Sequence, residues 1–136
     1  MKVAIPRKRF VVDSSFVLNF LLQDERKDFT DSLFRQVEGG KIELISVSLL
    51  YYEVLNGMRS AVSRKRVTLG IATRLIKEFL VIPIETAEVD WNKCFQLAFE
   101  SGLTIYDAAY LTLAKNYQVK ILSFDPHLQP FAAKIN

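Results

Sequence analysis

Apolar and polar positions alternate in blocks along the chain, and their lengths and periods predict strands and helices by turns. Arg9-Phe-Val-Val12 is short, apolar and β-branched, and it stops at Asp13-Ser14-Ser15, predicting a buried strand that ends in a polar turn. Ser14 or Ser15 is expected to cap a helix through Phe16, Leu18, Phe20 and Leu21. After the charged stretch 23–28, Phe29, Leu33, Phe34 and Val37 share one helical face that Gly39-Gly40 ends. Residues 42–46 predict a second strand. From Ser48, a fitting cap, Leu49, Leu50, Tyr52, Val54, Leu55 and Met58 recur at helical spacing, with Glu53 among these apolar positions.

Val67, Ile71, Leu75 and Phe79 follow at intervals of four and predict a helix over 64–80, with 81–84 a buried strand or extended link. Thr86 is expected to cap a helix that turns Val89, Phe95, Leu97 and Ala98 inward and ends at Gly102. Residues 105–115 predict a helix with Asp107 in its first turn. Residues 118–123 predict a strand stopped by Phe124-Asp125-Pro126. Such alternation predicts an α/β fold with a mostly parallel central sheet flanked by helices, whose ligand site lies beyond the carboxyl ends of the strands. Asp13 and Asp125 both belong at that edge.

Length and composition narrow the class. At 136 residues, half of them hydrophobic, the chain is expected to form one domain over 1–136. Its net charge of +3 permits a nucleic-acid partner without demanding one. One cysteine, Cys94, excludes an internal disulfide and Cys-rich zinc sites and reads as core filler; one histidine, His127, reads as a surface residue. Acid/base ribonucleases with two histidines and His-based zinc hydrolases need more imidazoles than that, so catalysis must run on carboxylates. No apolar run approaches the roughly 20 residues that span a bilayer, and 1–9 lack the apolar stretch of a signal peptide, so a cytoplasmic protein is expected. The five glycines are scattered and form no nucleotide-binding loop.

Four segments carry a family resemblance. Phe-Val-Val-Asp13-Ser-Ser, Leu-Leu-Tyr-Tyr-Glu53-Val-Leu-Asn56, Gly102-Leu-Thr-Ile-Tyr-Asp107-Ala-Ala-Tyr-Leu-Thr-Leu-Ala and Ile-Leu-Ser123-Phe-Asp125-Pro-His-Leu resemble PIN-domain motifs and occur in that family's order. The likeness runs from Arg9 to about Phe131 and is nearest the VapC type, the toxin of bacterial and archaeal toxin-antitoxin pairs. It implies a PIN-like α/β/α sandwich in which Asp13, Glu53, Asp107 and Asp125 are catalytic and bind Mg²⁺ or Mn²⁺, with Ser15, Asn56 and Ser123 as supporting residues. It also implies a metal-dependent endoribonuclease of a VapBC-type system, an RNA substrate, a small antitoxin partner and a homodimer. Two features depart from the pattern: a basic leader over 1–8, and Pro126-His127 after the last aspartate where a basic residue often stands.

The chemistry is coherent without the family. Carboxylates converging within about 4 to 6 Å repel one another by several kcal/mol per pair even at an effective dielectric near 20, so a four-acid cluster calls for cations, and hard oxygen ligands select Mg²⁺ or Mn²⁺ rather than zinc. Asp13 would hold the main ion, Asp107 and Asp125 would complete its shell, and Glu53 would hold a second ion or orient the attacking water. Plainer roles compete at each position. Asp13 and Asp125 suit turns, Asp107 suits a helix N-terminus, and Ser15 and Ser123 suit caps. Asn56, three residues after Glu53, is placed to orient it. Tyr51, Tyr52, Tyr106 and Tyr110 suit packing better than base stacking. Arg59, Arg64, Lys65 and Arg66, with Arg7-Lys8-Arg9, either guide an RNA backbone or form a solvated face. A haloacid-dehalogenase phosphatase would need a second acid where Ser15 stands, and a receiver domain needs an acid spacing this chain lacks. A catalytically silent RNA- or protein-binding module on the same fold is the remaining alternative.

Overall fold

The computed structural model describes residues 7–134. Strands β1 (Lys8–Val12), β2 (Ile42–Ser46), β3 (Ile84–Thr86) and β4 (Lys120–Leu122) form one sheet in the order β3-β2-β1-β4, and every pairing is parallel. Helices α1 (Ser14–Leu21), α2 (Asp28–Glu38), α3 (Leu49–Ser63), α4 (Leu69–Leu80), α5 (Trp91–Ser101) and α6 (Ile105–Tyr117) connect them. The α/β architecture read from the alternation is therefore the one observed. Val11 pairs with Ile45 on one side and Ile121 on the other, and all three are fully buried, so β1 is the spine of the core.

The chain steps outward from β1 to β2 to β3, then returns to set β4 on the far side of β1. Right-handed crossovers in both directions put α1 to α4 on one face of the sheet and α5 and α6 on the other. Accordingly α1 touches α2 and α3, α3 touches α4, and α6 packs on β1 and β4 while carrying α5. The strand order reverses between β1 and β4, which opens a crevice at their carboxyl ends, the usual place for a ligand in such sheets. On one side of it α1 and α3 approach closely. A Cβ on Gly57 would stand 2.5 Å from the Leu18 side chain, so glycine there lets the start of α1 lie beside the Glu53 turn of α3. Beyond β4, Ala132 bridges to Ile121 in parallel and the Ala133 N–H donates to the Ile121 carbonyl at 2.8 Å, extending the sheet by one short rung.

Several local expectations are corrected. Asp13, not Ser14 or Ser15, caps α1, its carboxylate accepting the Phe16 N–H at 3.0 Å. Helix α4 starts at Leu69 rather than Arg64. Lys65 takes a left-handed φ of 59° that breaks the helix, and Thr68 caps the new one. Val81 is 81% exposed, and the third strand is the half-exposed edge 84–86 instead of a buried 81–84. Thr86 lies in that strand, while Asp90 caps α5. Phe95 points outward and is 68% exposed, whereas Cys94 and Ala98 face the core. Ser48 stands at the start of α3 but makes no side-chain cap bond. Lys8 belongs to β1 and Arg7 pairs with Glu43 at 3.5 Å, so the end of the supposed leader is part of the sheet region; residues 1–6 lie outside the described residues.

Candidate active site

Asp13 leaves β1 at the crevice and is 3% exposed. Its backbone N–H donates to the Leu122 carbonyl of β4 at 3.2 Å, which ties the two strand ends together. The carboxylate is held from both sides. Ser15 donates to Oδ1 at 2.7 Å beside the Phe16 N–H, and the fully buried Ser123 donates to Oδ2. The two hydroxyls also brace the loop after β4: Ser15 Oγ accepts the Phe124 N–H at 2.8 Å, and Ser123 Oγ accepts the Asp125 N–H at 2.9 Å. Phe124 stacks on Phe16 with ring centroids 5.2 Å apart, anchoring the same loop in the core. Asp125 is thereby fixed opposite Asp13.

Glu53 reaches the crevice from α3. Tyr110 of α6 donates to its Oε1 at 2.5 Å and Ser14 of α1 donates to the same oxygen at 3.2 Å. Among the described residues Oε2 accepts no hydrogen bond, so this oxygen is the one left for the site. Asp107 sits in the first turn of α6, where the Thr104 hydroxyl caps the helix by accepting its N–H at 3.1 Å. One ligand atom each from Asp107, Asp125 and His127 lies within 4.8 Å of the others.

Electrostatics agree with this convergence. Burial pushes the Asp13 carboxyl from 3.8 up to about 6; the hydrogen bonds from Ser123, Ser15 and the Phe16 N–H pull it back, and the Asp125 charge pushes it further up. Asp107 is raised by burial and then by the charges of Asp125 and Glu53. Burial and the Glu53 carboxylate push the Tyr110 phenol far above its ordinary value, so it stays a hydrogen-bond donor. Among the described residues no lysine or arginine pairs with any of these four acids; only His127 does, at 3.2 Å from Asp125. Clustered oxygen donors with no lysine or arginine counter-charge are the donor set that suits a hard divalent cation.

The four acids, Ser15 and Ser123 are thus brought together, and Asn56 is not. It is exposed and makes no hydrogen bond to Glu53, whose carboxylate is held by Ser14 and Tyr110 instead. Sequence reasoning left both of those residues out of the site. Tyr110 follows Asp107 by three positions and so shares its helix face, a spacing that could have flagged it. Arg66 is committed elsewhere: its guanidinium forks onto Asp24 at 2.9 to 3.1 Å and meets Glu25 at 3.3 Å. Arg59, Arg64 and Lys65 are exposed and form no salt bridge among the described residues. Cys94 is buried in the core, as expected.

Residues 10–134 match the PIN domain family. The chain is a PIN domain. A relative named Ribonuclease VapC3, from Pyrobaculum aerophilum, is 27% identical over 124 residues, covering 88% of this chain and 92% of its own. The crystal structure of PAE2754 from the same organism has the same fold, with a TM-score of 0.72 at 23% identity over 93% of this PIN domain and 88% of that chain. Mycobacterium tuberculosis VapC20, described as a Sarcin-Ricin loop cleaving toxin, shares it more loosely, with a TM-score of 0.59 at 13% identity over 93% and 98% of the two chains.

Proposed function

We propose that this PIN domain, a single domain over 1–136, is a metal-dependent endoribonuclease that hydrolyses RNA phosphodiester bonds and acts in the cytoplasm as the toxin of a VapBC-type pair. The observation that carries the reading is the convergence of Asp13, Glu53, Asp107 and Asp125 at the strand-order reversal, with no lysine or arginine among the described residues paired to them. Asp13, Asp107 and Asp125 would hold Mg²⁺ or Mn²⁺, and Glu53 would hold a second ion or orient the attacking water. When bound, such an ion lowers the pKa of a water and stabilises the charge that develops on the phosphodiester oxygens. Ser15 and Ser123 keep both Asp13 oxygens in place, and the ring of hydrogen bonds excludes water from the buried side of that carboxylate. Glu53, held by Oε1, offers Oε2 to accept a proton from the attacking water. Arg59, Arg64 and Lys65, at the far end of α3, would draw the RNA backbone in.

The name of the 27% identical relative supports the ribonuclease reading and its VapC type. A small antitoxin partner follows from that type, as does a homodimer. The outer face of α5 supports an assembly: Trp91, Phe95 and Phe99, each one turn apart, are 71%, 68% and 85% exposed. Incubating the protein with labelled RNA tests the activity. Cleavage is expected with Mn²⁺ or Mg²⁺, is stopped by EDTA and is missing in Asp13→Asn. Intact RNA with either ion present would overturn the reading, and growth arrest on expression that no neighbouring gene relieves would overturn the toxin role.

A further inference from the structure

His127 is exposed, yet its ring is not free to wander. The turn that carries it is fastened on both sides: the Asp125 carbonyl accepts the N–H groups of Leu128 and Gln129 at 3.0 and 3.1 Å, Leu128 is fully buried, and the Gln129 side chain donates to the Ser123 carbonyl at 2.6 Å. The His127 N–H donates to Asp125 Oδ1 at 2.9 Å, which fixes the ring's origin beside that carboxylate. Nδ1 then lies 3.2 Å from the same oxygen, and one ring nitrogen, one Asp107 oxygen and one Asp125 oxygen lie within 4.8 Å of one another. Around an octahedral ion with bonds of about 2.1 Å, neighbouring ligand atoms stand about 3 Å apart and opposite ones about 4.2 Å. The 3.2 Å separation matches one edge of that figure, and the 4.8 Å bound on the group exceeds its full width by about half an ångström, a gap that a small side-chain shift closes.

We infer that His127 joins Asp107 and Asp125 as a ligand of the divalent ion, and that its imidazole makes the site prefer a first-row transition ion, Mn²⁺, over Mg²⁺. The inference rests on the metal-dependent reading above and narrows it. Mg²⁺ keeps to oxygen donors and sheds water reluctantly, whereas a neutral imidazole is a good donor to ions of the transition series. With oxygen ligands alone the two ions would be hard to tell apart. One nitrogen on a pre-set turn supplies the distinction at little entropic cost.

Calorimetric titration of the full chain with MnCl₂ and with MgCl₂, for wild type and His127→Ala, tests this together with pulsed EPR of the Mn²⁺-loaded proteins. Because the ring is exposed, the variant is expected to keep the wild-type circular dichroism. Wild type should bind Mn²⁺ about tenfold or more tightly than Mg²⁺. In the variant, Mn²⁺ affinity should fall about tenfold, Mg²⁺ affinity should stay within about twofold, and the ¹⁴N coupling seen in wild type should vanish. Bound Mn²⁺ without ¹⁴N coupling in wild type, or a variant that changes both affinities alike, would overturn the ligand role while leaving a metal-dependent nuclease standing. Binding of neither ion would overturn both.

Discussion

Replacing Asp13 by Asn should make the metal-free protein more stable at neutral pH, and the size of the gain can be worked out. Asp13 titrates at about 6 in the folded chain and at an ordinary 3.8 when unfolded, so the folded state holds the proton more tightly. The sign follows from linkage: the contribution of this group to stability is greatest below pH 3.8, declines as pH rises, and is fully lost once pH passes about 6. At 1.36 kcal/mol per pH unit that gap amounts to about 3 kcal/mol of destabilisation at pH 8. Asn carries no charge to bury and caps a helix as well as Asp does, so the Phe16 N–H keeps its acceptor. Urea unfolding in EDTA, followed by far-ultraviolet circular dichroism from pH 5 to pH 8, reads the difference. The variant's midpoint should exceed the wild type's by about 1 to 3 M at pH 8, given slopes of about 1 to 3 kcal/mol per M, and the gap should shrink toward pH 5. Saturating Mn²⁺ should close or reverse the difference, because wild type, with Asp13 as an added ligand, gains more binding energy from the ion. A variant less stable than wild type in EDTA at pH 8, or a gap that ignores pH, would refute the reasoning that the buried carboxylate is a liability which a cation relieves.

Three further outcomes are expected. Tyr110→Phe keeps the ring but removes one of the two donors to Glu53; stability should drop by about 1 to 2 kcal/mol in thermal unfolding, and RNA cleavage should fall at least tenfold with the Mn²⁺ dependence displaced to higher concentration. Because protons compete with the cation for Asp13, Mn²⁺ affinity measured by calorimetry should rise with pH up to about 6 and flatten above it; constant affinity between pH 5 and pH 7 would contradict the Asp13 assignment. Phe95→Asp together with Phe99→Asp should turn a dimer into a monomer in sedimentation velocity while leaving the helical circular dichroism unchanged, since both side chains already face outward.

What could be read ahead of the structure divides along physical lines. β1 and β4 were legible because their short apolar runs stop at polar turns that carry Asp13 and Asp125, although β4 starts at Lys120 rather than at 118 because Gln118 takes a left-handed φ of 55° that ends α6. The cap of α1 was not, since Asp13, Ser14 and Ser15 are all good caps and the choice falls to the register of β1 against β4. Helix α4 was read too long because Val67 stays in phase with Ile71, while the break comes from a positive φ at Lys65 that nothing in a lysine announces. Phe95 misled for another reason. Inside α5 the small residues Cys94 and Ala98 face the core and the large aromatics face out, the reverse of the usual rule that bulk goes inward. The acids of the site were visible as residue types at strand ends and in helices. Their hydroxyl braces were not, because Tyr110 finds Glu53 across 57 positions and Ser123 finds Asp13 across 110.

The short rung that Ala132 and Ala133 add beside β4 makes the tail of the chain a latch. Clipping it, by a protease or by a premature stop codon near position 130, would remove none of the four acids. It would bare the hydrogen-bonding edge of a strand only three residues long, the one whose continuation carries Ser123 and Asp125. Loss of function from such truncations would therefore report slackened support rather than missing chemistry.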